Sequence, residues 1–158
     1  MSSRRKEALA DRDYRALARF RALLRRFLKF SESAARSAGL HPHQHQLLLA
    51  VRGVPEGELP TIGVLARMLQ LRHHSAVELV DRLVRRGLVE RFQSEKDRRR
   101  VIVHIRPRGE RLLLKLTLMH RKELRSARVG LLHALTGLFA DARGLRLAGE
   151  RARRSNVL

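Results

Sequence analysis

The hydrophobic period of this chain changes abruptly at Gly87. Before it, in SAVELVDRLVRRG, the residues Ala76, Val80, Leu83 and Val84 recur at three- and four-residue spacing, with Ser75, Glu78, Leu79 and Arg82 on other faces. That spacing predicts a helix with one buried stripe. After it come two short β-rich runs, GLVERF and RVIVHI, with Val101, Val103 and Ile105 alternating with Ile102 and His104. Alternation of this kind predicts strands. Between the runs stand six consecutive charged residues, EKDRRR. A helix closed by glycine and followed at once by a hairpin leaves few architectures open.

The rest of the chain narrows them further. Residues 1–11 read as a polar tail. Over about 12–38, Leu17, Phe20, Leu24, Phe27 and Leu28 repeat with helical spacing up to Gly39. HPHQHQLLLAVRG reads as a second helix, with Pro42 in its first position and Gly53 past its end. VPEGELP is a turn, and Thr61 is placed to cap the helix IGVLARMLQL. A break near Leu71 to His73 separates that helix from the next. Residues 107–148 form a long helical stretch with an expected break around Ser126 to Gly130, and 149–158 read as a second tail. Within the stretch, LLLKLTLM is apolar on almost every side, so a second copy of the chain is expected to cover it, with Leu116 among the covered residues.

The element order is helix, helix, helix–turn–helix, hairpin, long helix. The predicted fold class is mostly α with a small β-hairpin wing: a winged helix–turn–helix with N- and C-terminal dimerisation helices. The winged helix–turn–helix core is expected at about 55–106.

Charge points the same way. With 35 Lys and Arg against 15 Asp and Glu, the net charge is +20 and the pI near 11.9. Such a balance favours polyanionic partners. Codon bias is a competing source of arginine, but the surplus is uneven. Residues 37–71 hold two cations and two acids, whereas 72–108 hold eleven and five. The chain has no cysteine, which excludes disulfides, thiolate metal sites and thiol redox sensing. No apolar run approaches the roughly 18 residues of a membrane span, so a cytoplasmic, nucleoid-associated protein is expected. No Gly-rich phosphate loop or nucleophile elbow appears, so no catalytic residue, cofactor or enzymatic activity is assigned.

The segment LVDRLVRRGLVERFQSEKDRRRVIVHIRPRG, Leu79 to Gly109, resembles the MarR family of bacterial transcription regulators. It is similar to the family pattern of a recognition helix ending LVDRLxxxGLVxR, a wing with DRR, and a strand leading to LTxxG. TIGVLARMLQL resembles the first helix of the family's helix–turn–helix. This chain departs from the pattern with Arg72, His73 and His74 where the recognition helix begins, and with Arg106 and Pro107 before Gly109.

The resemblance implies a homodimer on a pseudo-palindromic duplex, most simply a repressor relieved by a small aromatic or phenolic effector. It places Asp97 and Arg99 on the family's wing pair, in which the acid braces an arginine that enters the minor groove. Lys96, Arg98 and Arg100 are expected beside phosphates. On the recognition helix, Arg72, His73, His74 and Ser75 are candidates for phosphates or base edges, and Glu78 for cytosine N4. Leu79 is a candidate for a thymine methyl or for packing, and Arg82 for a phosphate or for pairing with Glu78. The bland reading of these side chains is an exposed polar helix face. His41, His43 and His45 invite a metal reading, but on a helix His43 points away from the other two, and no metal is assigned. Two rivals stay open: a sequence-indifferent nucleic-acid-packaging protein, and a scaffold of this fold that has lost DNA binding.

Overall fold

A computed structural model describes residues 11–94, 97 and 100–139. The elements are α1 (Asp11–Ser37), α2 (Pro42–Arg52), α3 (Ile62–Met68), α4 (His73–Arg85), β1 (Val89–Gln93), β2 (Val101–Ile105) and α5 (Pro107–Leu138). Residues 1–10 and 140–158 lie outside the described set, so the expected tails are described only at Asp11, which is already helical. The chain divides into two compact units.

The first unit, Phe30–Lys122, holds the end of α1, the start of α5 and everything between. Its core is a single cluster in which Leu47, Leu48, Leu65, Ala76, Val80, Leu83, Leu88, Val103 and Leu116 lose all exposure. Local chemistry sets the boundaries. Gly39, at φ 73°, closes α1 with Leu40 N–H donating to Ala35 at 2.9 Å. Pro42 opens α2. Thr61 caps α3 as expected, its hydroxyl accepting from Val64 N–H at 3.3 Å. The turn into α4 passes through Gln70 at φ 54°, a left-handed conformation unusual for a residue with a Cβ. Gly87, at φ 64°, ends α4 and releases the chain into β1.

β1 and β2 pair antiparallel, with Val89 opposite Ile105 and Gln93 opposite Val101. A third segment joins them: Thr61 bridges Ile102, and Val103 N–H donates to the Pro60 carbonyl at 2.9 Å. The sequence shows only a turn there, because one bridge beside a proline carries no alternation. Gly109 is required by close approach. A Cβ at that position would lie 2.3 Å from the Leu88 carbonyl oxygen and 2.7 Å from Ile105 Cγ2.

The buried stripe of α4 differs from the expectation. Leu79 lies in the core and Val84 is exposed. Ala76, Leu79, Val80 and Leu83 share one continuous arc at 3.6 residues per turn, and Val84 falls just outside it. Leu116 is likewise corrected. It is buried within its own chain, and the exposed leucines of LLLKLTLM are Leu114 and Leu118.

The second unit contains residues 11–29 of α1 and, of the described part, 123–139. The expected break at 126–130 is absent, and α5 runs unbroken. Gly130 is a packing position: a methyl there would lie 3.5 Å from Leu23 Cδ1, and one at Gly137 would lie 3.3 Å from Ala16 Cβ. These pairings, 23 with 130 and 16 with 137, make the two segments antiparallel.

Candidate nucleic-acid interface

α4 begins at a bare cap. Arg72 occupies the N-cap in an extended conformation, φ −67° and ψ 148°, and its side chain caps nothing. The first turn therefore presents free backbone N–H groups, which with the helix dipole favour an anion. Arg72, His73 and His74 are exposed around it and Ser75 is half-buried. One turn on, Arg82 Nη2 lies 3.6 Å from Glu78 Oε2, the pairing weighed above. Both side chains are more than half exposed, so the pair contributes little to stability and either member is free to be recruited. Leu79 is the exception among the expected contact residues, since its side chain is spent on the core. A shallow groove of about 190 Å³ runs beside the helix, with His41, His43 and Gln44 on one wall and Leu71, Ser75, Glu78, Leu79 and Arg82 on the other.

Two arginines that sequence reading left unassigned hold α4 in place. Arg91 of β1 lies 2.7 Å from Asp81 Oδ1, and donates to the Val77 carbonyl at 3.2 Å. The acid and the final arginine of LVDRL…GLVER are therefore each other's partners, fastening the hairpin to the helix. Arg86, the C-cap of α4, donates to Gln44 Oε1 and to the Gly39 carbonyl, both at 2.7 Å. Gln44 also accepts from His41 N–H at 2.9 Å. The middle and the C-terminal end of α4 are thus tied to elements whose backbones are fixed by the core. The spacing of Asp81 and Arg91 in the motif was the available signal for the first tie; Arg86 carried none.

At the hairpin tip, Ser94 N–H donates to the Arg100 carbonyl and Arg100 N–H to the Asp97 carbonyl, each at 2.9 Å. Arg100 Nε stands 3.2 Å from Asp97 Oδ2. The carboxylate thus aims one guanidinium at the base of the tip. Lys96, Arg98 and Arg99 lie outside the described residues, and with them the expected Asp97–Arg99 pair.

The three neighbouring histidines separate. His41 and His43 stack with ring centres 5.8 Å apart, while His45 is buried 4.8 Å from His120. Among the described residues no three His, Cys, Asp or Glu side chains are grouped to hold a metal ion. Nor is any described helix long and apolar enough to cross a membrane. A second cavity, about 350 Å³, is lined by Arg52, Glu110, Arg111, Leu113, Leu114 and Thr117.

Residues 38–100, from the end of α1 to the hairpin tip, match the model of the MarR family. Over those residues the chain is similar to the MarR family. It is 35% identical over 65 residues to YsmB of Bacillus subtilis, an HTH-type transcriptional regulator; the match spans 41% of this chain and 44% of that relative. Solved MarR-type structures share the fold over nearly the whole length. A MarR family protein from Bacillus stearothermophilus aligns with TM-score 0.64 at 23% identity, covering 92% of this chain and 99% of that one. AbsC of Streptomyces coelicolor, a MarR family transcriptional regulator, aligns with TM-score 0.66 at 21% identity, covering 94% and 99%. MepR of Staphylococcus aureus, solved as a complex with DNA, aligns with TM-score 0.58 at 16% identity, covering 88% and 95%.

Proposed function

We propose that this protein is a sequence-specific duplex-DNA-binding transcription regulator acting as a homodimer. One observation carries the reading. The uncapped, polar first turn of α4 and the cationic hairpin tip are held to one rigid core by the Arg86 and Arg91 ties. α4 enters the major groove by that turn, where Arg72, His73, His74 and Ser75 meet phosphates and base edges and Glu78 meets cytosine N4. The tip arginines, Arg99 foremost, take the adjacent minor groove, where shape and negative potential are read. Lys96, Arg98 and Arg100 neighbour phosphates, and Asp97 orders the loop that carries them. Twofold symmetry places two half-sites about 34–36 Å apart. MepR's complex with DNA shows that a chain of this fold binds a duplex and supports the same partner here.

Regulation by repression, relieved by a small aromatic acid, completes the proposal. The cavity at the start of α5 suits such an effector, with Leu113 and Leu114 for the ring and Arg52 or Arg111 for the carboxylate. Binding of purified protein to its own upstream region and to random duplex at physiological salt tests the reading. A preference of about 10³ or more is expected. Equal affinity for the two would leave sequence-indifferent packaging, and no binding even at low salt would leave a scaffold.

A further inference from the structure

The charge surplus is not confined to the unit that holds the reading elements. Among the described residues, the unit built from 11–29 and 123–139 carries nine Lys and Arg against three Asp and Glu in 36 residues. The other unit carries fifteen against eight in 89. Adding the four tip residues by sequence raises that count only to eighteen against nine in 93. A chain whose cations served α4 and the hairpin alone would show the opposite gradient.

Seven of the nine lie on α1, six of them in segregated positions. At 3.6 residues per turn, Arg12, Arg15, Arg19, Arg26 and Lys29 fall within an arc of about 100°, with Arg25 at its margin. All six are exposed. Ala16, Phe20, Leu23 and Phe27 occupy a different arc, turned inward in their own unit, and exposed Leu17, Leu24 and Leu28 a third. Acids do little to neutralise the stripe: Arg12 lies 3.8 Å from Asp13 and Arg26 3.9 Å from Glu123, while Arg19, Arg25 and Lys29 have no carboxylate within 4 Å among the described residues. Seventeen residues separate Arg12 from Lys29, a cationic edge of about 25 Å.

We propose that this edge of α1 is a second polyanion-binding surface, fitted to the phosphate backbone of duplex DNA without regard to sequence. The chemistry favours that partner. Guanidinium forks match phosphate oxygens, and a straight row of them fits the regular spacing of a nucleic-acid strand. An anionic membrane would need exposed apolar side chains driven into it together with the cations. Here the arginine arc holds no apolar side chain larger than alanine, and the Leu17, Leu24 and Leu28 arc is the face left for a second copy. The proposal does not depend on α4 reading a sequence.

The test uses the full chain with Arg15, Arg19, Arg26 and Lys29 changed together to Gln. A control of equal charge changes the exposed Lys115, Arg121, Lys122 and Arg125 of α5 to Gln. Binding to random-sequence duplex is followed by fluorescence anisotropy over a range of salt concentrations, with circular dichroism confirming the fold. Each phosphate contact adds about 0.9 to the slope of log K against log salt. The α1 variant should lose about 2 to 4 from that slope, and the control less than about 1. Equal losses would show that net charge alone acts, and an unchanged slope in the α1 variant would show no contact; either overturns the proposal. So would loss of binding to phosphatidylglycerol-containing vesicles with the DNA slope intact. A third protein, with Arg72→Ala and Arg82→Ala, separates the two readings: it should lose sequence preference and keep most of the slope. If no sequence preference exists to lose, the reading of α4 fails, yet the α1 comparison still stands or falls by itself.

Discussion

The two units bury their apolar residues very differently. Of the twenty buried hydrophobic residues among those described, nineteen belong to Phe30–Lys122, and only Ala134 lies in the long-helix unit. There the large side chains Tyr14, Leu17, Leu24, Leu28, Val129, Leu132 and Phe139 stay exposed. Both units draw on the same Leu-rich sequence. The first folds upon itself because five short elements approach from several directions. The second consists of two antiparallel helical segments, and two helices can cover only one face of each other. Apolar surface left over on this scale marks an association site, and the homodimer proposed above would cover it.

The largest expected effect tests that contrast at two positions of α5. Leu116→Asp places a carboxylate where no solvent reaches, and removing a core leucine alone costs about 2–5 kcal/mol. The cooperative thermal transition should disappear by circular dichroism. Leu132→Asp, on an exposed position of the long-helix unit, should leave the far-ultraviolet spectrum intact and shift the sedimentation mass toward a monomer. If both variants melt alike, the division between self-sufficient core and partner-seeking surface is wrong.

Two glycines give the next step down. Gly109→Ala forces a methyl against a backbone carbonyl, which overpacks the junction of β2 and α5 by about 1–3 kcal/mol. Gly63, inside α3, has nothing within 4 Å of its missing Cβ, so Gly63→Ala should raise stability by about 0.5–1 kcal/mol. Urea denaturation of the pair measures both, and equal signs would refute the packing account. Thr61→Ala follows at about 1 kcal/mol, through loss of the α3 cap.

These cases show what sequence could supply. Element order, the Pro42 and Thr61 helix starts and the glycine-closed turns were legible because each depends on local chemistry. Faces were harder to read. Periodicity marks an apolar arc but not how many neighbours cover it, so Leu79 and Val84 of α4 exchanged roles and Leu116 was turned toward the wrong partner. Gly130 suggested a break because glycine weakens helices, yet only the antiparallel contact with Leu23 explains its place. The polar frame of α4 was half visible: Asp81 and Arg91 stood in the motif, whereas Arg86 reaches Gln44 across 42 positions and leaves no local trace.

The smallest expected effect concerns His45, which sequence grouped with His41 and His43 and the fold separates from them. It is 4% exposed, with its ring 4.8 Å from that of His120. His120 Nδ1 lies 2.6 Å from the Leu116 carbonyl, which can only accept, so this nitrogen carries a proton and donates it. Its Nε2, 2.8 Å from Ser31 Oγ, accepts from that hydroxyl while the ring is neutral. Burial first, and the neighbouring His120 second, hold the pKa of His45 below the ordinary 6.5. The unfolded chain therefore takes up a proton near pH 6.5 that the folded chain refuses. Stability from this group is complete above about pH 6.5 and declines as the pH falls through the window down to the lowered pKa. Thermal melts between about pH 7.5 and 5.5 should show that decline, and His45→Gln should flatten it without altering the charge of the α1 edge. Parallel curves for the two proteins would mean that His45 titrates as if exposed, and the core around α2 would then be less closed than its leucines indicate.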